Sequence, residues 1–275
     1  MSNLWFYENQ TPNLEFCTRV KETLHTEKTP FQELAILNTH EFGRTLVLDG
    51  AIQTTIRDEF IYHEMITHVP LFTHPEPKEV LVIGGGDGGT IREVLKHKEV
   101  EKARLVEIDR RVVELSRQYL PEISCGLDDP RVEILYEDGI KHLKEARDKY
   151  DVILVDSPDP VGPAVGLFTR EFYQSVYDAL KEDGLFVAQT ESPFFNQDII
   201  PGIFKNIKSI FPITRMYLAF VPTYPGGIWS FTLGSKDYDP LSTLTQKTPI
   251  PTRYYTSRLH RAAFVLPRYV EELLE

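Results

Sequence analysis

The chain has 275 residues, 41% hydrophobic and 11% aromatic, enough for one large domain or for an α/β domain with a small satellite, and not the profile of a disordered chain. Thirty Lys and Arg against 41 Asp and Glu leave a net charge of −11, which disfavours the dense basic footprint of a nucleic-acid surface. Two cysteines, Cys17 and Cys125, give neither a disulfide framework nor a metal cluster, and neither a basic leader nor a bilayer-length apolar stretch is evident, so a soluble cytoplasmic protein without membrane or metal partners is expected.

The first part, to about Gln53, reads as β-structure. Alternating Leu14–Thr18 and Glu33–Leu37 are separated by the polar, Pro-containing Thr26–Pro30, and Arg44–Leu48 meets Ala51–Thr54 across Asp49-Gly50, a two-residue hairpin signal. Asp58 to Phe72 carries apolar residues at helical spacing and stops before His74-Pro75-Glu76-Pro77. From Lys78 the rhythm becomes strand, helix, strand. Val80–Ile83 precedes a helix over Thr90–His97, and Leu105–Ile108 precedes one over Arg110–Tyr119. Val132–Leu135 leads to a helix near Gly139–Ala146, and Val152–Val155 to one near Arg170–Lys181, followed by Leu185–Ala188. Short, nearly continuous apolar strands alternating with helices imply a parallel sheet covered on both faces. Arg215–Val221 and Ile228–Leu233, joined by a Pro/Gly turn, should close it as an antiparallel hairpin.

Ligands of such a sheet bind beyond the carboxyl ends of its strands. Strand one ends in Gly84-Gly85-Gly86-Asp87-Gly88-Gly89, where Gly84, Gly86 and Gly89 satisfy the G-x-G-x-x-G spacing of a nucleotide-binding turn. Asp87 sits where a dinucleotide enzyme presents its pyrophosphate to the backbone, and a carboxylate there would repel it. The loop therefore suits a nucleoside bearing a cationic group. Strand two ends in Glu107-Ile108-Asp109, about 20 residues on, the place of an acid that reaches ribose hydroxyls. Strand three ends in Glu137-Asp138-Gly139, which is also a common turn or helix-capping pair. Strand four ends in Asp156-Ser157-Pro158-Asp159-Pro160, a proline-stiffened pair of acids that runs into a plausible lid. His63-Glu64-Met65-Ile66-Thr67-His68 resembles a zinc-protease helix, but its histidines are one residue too far apart to share a face. Structural or surface roles are expected for His68 and His74.

Together these residues resemble the polyamine aminopropyltransferases. The match runs through Leu48–Gln53, Asp58–Met65, Gly84–Gly89, Arg92–Val94, Glu107–Asp109 and Asp156–Pro160, and continues with Gln189, Pro222–Pro225, Tyr254-Tyr255 and His260. The resemblance implies a methyltransferase-like Rossmann domain with a mostly parallel seven-stranded sheet over residues 58–275, preceded by a small N-terminal β-domain over residues 1–57. It implies transfer of an aminopropyl group from decarboxylated S-adenosylmethionine, a co-substrate, to a diamine such as putrescine, with no cofactor. Donor contacts by resemblance are Gln32, Gln53, Gly84, Gly86, Asp87, Glu107, Asp138, Gly139 and Pro163. Diamine contacts are Tyr62, His63, Asp87, Asp156, Asp159, Gln189 and Tyr224, with Asp156 the catalytic base. At position 63 some members carry Gln, so acceptor choice among putrescine, cadaverine, agmatine and spermidine stays open. A homodimer or homotetramer through the N-terminal β-domain is implied, since its edge strands need cover. A methyltransferase using intact S-adenosylmethionine and a non-catalytic nucleoside or polyamine sensor are the rival readings, with a dinucleotide dehydrogenase behind both.

Overall fold

The computed structural model describes residues 4–158, 162–242 and 250–275; the expected site residue Asp159 and the side chain of Pro163 lie outside the described residues. The N-terminal strands β1 (Trp5–Thr11), β2 (Leu14–Lys28), β3 (Glu33–Thr39), β4 (Gly43–Leu48) and β5 (Ala51–Thr55) form one antiparallel sheet in sequence order. Asp49 and Gly50, with φ of 48° and 84°, make the expected two-residue turn between β4 and β5. The strand β2 runs further than its polar composition suggests. Thr26, Glu27 and Lys28 pair with Ala35, Leu34 and Glu33, so ladder hydrogen bonds on a half-exposed sheet outweigh the local polarity. The connection itself is Thr29–Gln32, closed by the Thr29 N–H to the Gln32 carbonyl at 2.9 Å.

Helix α1 (Glu59–Thr73) leads into β6 (Glu79–Gly84), α2 (Gly89–Val94), β7 (Lys102–Val106), α3 (Arg110–Tyr119) and α4 (Pro121–Ser124). Then come β8 (Val132–Leu135), α5 (Gly139–Glu145), β9 (Tyr150–Asp156), a 3-10 helix over Gly162–Phe168 and α6 (Arg170–Ala179). The chain continues through β10 (Leu180–Gln189), α7 (Ile200–Lys208), β11 (Ile213–Phe220) and β12 (Ile228–Ser235) to α8 (Ser257–Ala262) and α9 (Arg268–Leu274). Strands β6 to β12 form one sheet of order β11-β12-β10-β9-β6-β7-β8, parallel apart from β12, which is antiparallel to both its neighbours. This is the expected α/β architecture, a methyltransferase-like sheet preceded by a small β-sheet. Two helix boundaries differ from expectation. The helix α2 spans Gly89–Val94 rather than Thr90–His97, and α6 stops at Ala179 because Leu180 already pairs with Tyr150 in the sheet.

Side-chain alternation along the strands divides the core into two layers. Val80 and Val82 of β6 face α1 residues such as Met65 and Val69, while Leu81 and Ile83 face Phe172, Val176 and Ile207 of α6 and α7. A third cluster joins the two sheets' territories: Leu34, Ile36 and Leu46 pack on Val112, Leu115, Leu120 and Ile123. No helix among the described residues is long and apolar enough to cross a membrane.

Candidate active site

Strand register assembles the site. Gly84 of β6 pairs with Asp156 of β9, Ile83 with Val106, and Val155 with Ala188. Gly84, Glu107, Asp156 and Gln189 therefore sit in one row along the carboxyl edge of the sheet, where ligands of open α/β sheets bind. The chain turns so tightly after β6 that a Cβ on Gly84 would overlap the Asp156 carbonyl oxygen, and φ there is +77°. One turn later Gly89 opens α2 against the flat face of His63, where a Cβ would overlap the ring. Gly86 lies beside Glu107, and its N–H helps to hold that carboxylate.

Asp87 is buried in this turn. Its Oδ1 accepts the Gly89 N–H at 2.7 Å, and its Oδ2 faces His63 Nε2 at 3.4 Å. Burial alone would raise the Asp87 pKa, but the His63 charge and hydrogen bond hold it below the usual carboxylate range. Asp156 goes the opposite way: burial, and then the Asp87 charge, push its pKa up. Two hydroxyls aim it, with Tyr62 Oη donating to Oδ1 at 2.7 Å and Thr90 Oγ1 donating to Oδ2 at 2.6 Å. Burial and the neighbouring Asp156 keep the Tyr62 hydroxyl protonated far above its ordinary range, so it serves as a donor. The two carboxylates are thus shifted in opposite directions by their surroundings.

Glu107 is buried at the tip of β7, and burial raises it to about 7 although the Asp109 and Gly86 N–H groups oppose the shift. Its Oε1 accepts the Asp109 N–H at 2.8 Å. Asp109 caps α3 through the Arg111 N–H at 3.0 Å, and its Oδ2 accepts from Thr29 Oγ1 at 2.8 Å and Gln32 Nε2 at 2.9 Å. Gln32 thus reaches the site's rim from the N-terminal sheet, bound to Asp109. Gln53 gives its side chain to the Ala51 carbonyl and its own carbonyl to Tyr224 Oη at 2.7 Å. Asp138 caps α5 through the Ile140 N–H at 2.9 Å, and Gly139 packs so closely on Ile83 that a Cβ would stand 2.6 Å from Cγ2.

On the other side of Asp156, Gln189 is buried at the end of β10 and donates to the Ser157 carbonyl at 3.2 Å and to Glu191 Oε1 at 3.1 Å. Tyr224 lies in the β11–β12 turn with its ring centroid 5.6 Å from that of Tyr62. The turn is pinned to the start of α1, where Asp58 Oδ2 accepts from Thr223 N at 3.1 Å and Thr223 Oγ1 at 2.7 Å. Tyr62, His63, Asp87, Asp156, Gln189 and Tyr224 are thereby brought to one side of the glycine loop, and Glu107 to the other.

Sequence reasoning missed four residues here. Thr90 is signalled only by its place in the first turn after the glycine loop. Glu59 stands four residues before His63 on α1, a spacing that could have flagged it. Its partner Arg92 falls in the Arg92–Val94 stretch of the family resemblance, which gave it no role. Glu191 follows Gln189 by two residues and is buried at φ +71°, a conformation rare outside glycine that tends to mark functional sites. The helix that resembled a zinc site is otherwise employed. His68 faces His97 and Glu93, each at 3.0 Å, while Glu64 anchors the C-terminal segment through the Arg253, Tyr254 and Tyr255 N–H groups at 2.7 to 2.8 Å. Elsewhere His74, Asp151 and Asp183 bring ligand atoms within 4.8 Å, but Lys181 Nζ already sits 2.9 Å from Asp151 and supplies the positive charge.

A glycine-rich turn, an acid at the next strand end and a pair of carboxylates, gathered at the carboxyl edge of a methyltransferase-like sheet, make the architecture of a group-transfer enzyme. Residues 59–246 match the spermine/spermidine synthase domain, and residues 4–55 match the spermidine synthase tetramerisation domain. The polyamine aminopropyltransferase of Caldicellulosiruptor saccharolyticus is 64% identical over 273 residues, covering 99% of this chain and 98% of that protein. That of Moorella thermoacetica is 61% identical over 276 residues, covering 100% and 98%. A crystal structure of a spermidine synthase in complex with the transition state analogue AdoDATO superposes with a TM-score of 0.97 at 45% identity, covering 100% of this chain and 96% of that one. Spermidine synthase from Thermotoga maritima gives 0.96 at 44%, covering 100% and 95%. The chain belongs to the spermine/spermidine synthase family, the polyamine aminopropyltransferases, and is a transferase of aminopropyl groups.

Proposed function

We propose that this protein transfers the aminopropyl group of decarboxylated S-adenosylmethionine to putrescine, giving spermidine and methylthioadenosine, with Asp156 as proton acceptor. The observation that carries the reading is the Asp87–Asp156 pair, with Asp87 buried beside His63 and Asp156 in the strand-end row that also holds Glu107, their pKa values shifted in opposite directions. The donor has a sulfonium and a terminal ammonium with no carboxylate beside it, and the acceptor is a dication. An intact methionine carboxylate would meet Asp87 unfavourably, which sets the ordinary methyltransferase reading behind this one.

Glu107 receives the ribose hydroxyls, and the Asp138–Gly139 corner receives the adenine, with Gln32, Gln53 and Pro163 near the nucleoside. Gly84 and Gly86 let the backbone approach, and Asp87 receives the ammonium. Tyr62, Gln189 and Tyr224 line the acceptor channel with His63 behind them beside Asp87, and the family resemblance assigns Asp159 to the acceptor as well. A neutral amine nitrogen attacks the carbon next to sulfur; the N–C bond forms, the C–S bond breaks, and its electron pair leaves with the neutral thioether. The leaving group needs no acid. The difficulty lies at the nucleophile, an alkyl amine of pKa near that of lysine, about 10.4. Asp156 keeps lone pairs beyond those engaged by Tyr62 and Thr90, and with them it aligns the amine and takes its proton. The raised Asp156 pKa makes it a better base than an ordinary aspartate.

The reading also places the domain boundary after residue 57 and assembly as a homodimer or homotetramer through the N-terminal sheet. The tetramerisation-domain match, and Trp5 and Tyr7 exposed at 42% and 57% on the edge strand β1, support it. A cytoplasmic location and the absence of a cofactor complete the proposal. The direct test offers decarboxylated S-adenosylmethionine with putrescine, cadaverine, agmatine and spermidine in competition, and reads products by mass spectrometry. Methylthioadenosine with spermidine from putrescine is the expected outcome. A different dominant product moves the acceptor, and donor binding without transfer to any amine favours the sensor reading.

A further inference from the structure

The His63 ring is clamped between two carboxylates. Nδ1 lies 2.6 Å from Glu59 Oε2 and Nε2 lies 3.4 Å from Asp87 Oδ2, with the ring almost wholly buried. A neutral imidazole has one N–H and one lone-pair nitrogen, so one of these contacts would set a lone pair against a carboxylate. Protonation of Glu59 would relieve the clash, but Arg92 holds both of its oxygens, with Nη1–Oε1 at 3.1 Å and Nη2–Oε2 at 2.8 Å. Arg92 is itself braced through Nε to Glu93 at 2.9 Å, and Glu93 is shared with Lys96 and His68. The Gly89 N–H, donating to Asp87 Oδ1 at 2.7 Å, favours the ionised form of Asp87 as well.

We propose that Glu59 and Arg92 form a positioning unit that holds His63 as an imidazolium against Asp87, keeping Asp87 anionic for the donor's ammonium and leaving Asp156 to take the proton. The roles of Asp87 and Asp156 in this statement rest on the functional reading above; the charge state of His63 does not. The groups facing the ring are Glu59 and Tyr62 from its own helix, Asp87 and Gly89 from the loop and α2, and Asp156 from β9, with Arg92 behind Glu59. Burial alone would favour the neutral ring, yet Asp87 and Glu59 together raise the His63 pKa well above its ordinary value. His63 then acts through Asp87 rather than by gripping the acceptor.

The test starts with the ligand-free wild-type enzyme, which no substitution can unfold. Long-range proton–nitrogen correlation of 15N-histidine protein, with His63 assigned by its loss in His63→Gln, should show both ring nitrogens protonated from pH ~7 to ~8.5, where a free histidine of pKa ~6.5 is neutral. A neutral tautomer at pH ~7 overturns the proposal. Glu59→Gln should move the His63 titration to lower pH and raise KM for decarboxylated S-adenosylmethionine ~5-fold or more, with a smaller change in kcat. Methylthioadenosine, which lacks the ammonium, should bind within ~2-fold of wild type. Arg92→Lys should move both readouts the same way by less, because a point charge replaces a bidentate fork. A Glu59→Gln enzyme that loses only thermal stability while His63 stays an imidazolium overturns the positioning role. If wild type neither binds nor turns over the donor, the functional reading fails, and the nitrogen spectrum still decides the charge of His63.

Discussion

The two ends of the parallel sheet use the same side chains in opposite ways. At the amino end, carboxylates meet cations: Arg104 reaches Glu79 at 3.0 Å and Glu133 at 2.8 Å, Lys102 reaches Glu133 at 2.8 Å, and Lys181 reaches Asp151 at 2.9 Å. There Lys102 and Arg104 hold Glu133 below the usual carboxylate range. At the carboxyl end, Glu107 is buried and Asp156 half-buried among backbone N–H groups and hydroxyls, and both are pushed up. Asp87 there has the His63 ring as its partner, at 3.4 Å. The amino end is electrostatically finished by the chain itself, whereas the carboxyl end keeps an affinity for positive charge that a ligand can satisfy.

The sharpest way to break this contrast is Asp156→Asn, which keeps the shape of the acceptor and removes its basicity. Its kcat should fall by roughly 10²–10⁴-fold, the range for a positioned base, in a steady-state assay of methylthioadenosine release. Near-normal turnover would take the proton-acceptor role away from Asp156. A smaller effect is expected from Asp87→Asn, which should weaken decarboxylated S-adenosylmethionine by about 10- to 100-fold, the loss of a charge-assisted hydrogen bond, and methylthioadenosine far less. Calorimetry that shows equal weakening of the two ligands would sink the assignment of the ammonium to Asp87.

The smallest signal is a proton count. Free Glu107, at about 7, is largely protonated at slightly acid pH, while ribose hydroxyls donating to it favour the ionised form. Binding of methylthioadenosine should therefore release a proton, approaching one near pH ~6 and fading above pH ~8.5, as read by calorimetry in buffers of different ionisation enthalpy. The same linkage has a sign for stability. A carboxyl raised on folding contributes below its ordinary pKa near 4.5 and loses that contribution as pH rises through about 7. Glu107→Gln should abolish the release. Glu133→Gln, at the other end of the sheet, should leave it intact and cost at most ~1 kcal/mol of stability, the usual value of a partly exposed ion pair.

The layout of this site is largely legible in the sequence, because strand periodicity and chain order alone place Asp87, Glu107, Asp138 and Asp156 at one edge. The Asp49-Gly50 turn and the alternation of β6 through β10 have the same local origin. What composition and spacing leave hidden is partnership. That Arg92 braces Glu59, that Thr90 aims Asp156 and that Gln32 ends on Asp109 are decided by side chains 33, 66 and 77 residues apart in the chain. Short, half-exposed elements such as α4, α8 and α9 were equally invisible, since 4 to 7 residues carry too little periodicity to separate helix from loop. Thr26–Lys28 joined β2 for a related reason: a ladder partner, absent from the local sequence, decided its state.

One seam in the molecule has a consequence for protein engineering. Thr29 and Gln32 of the N-terminal sheet grip Asp109, whose own N–H steadies Glu107, and Arg111 beside it binds Glu27 with contacts of 2.8 to 3.1 Å. The first fifty-odd residues therefore hold the segment that steadies Glu107, and in the function proposed above they are a wall of the nucleoside cradle as well as an assembly surface. A chimera that swaps this segment between relatives must carry both sides of the seam, and its excision should abolish donor recognition before any change in quaternary state is felt.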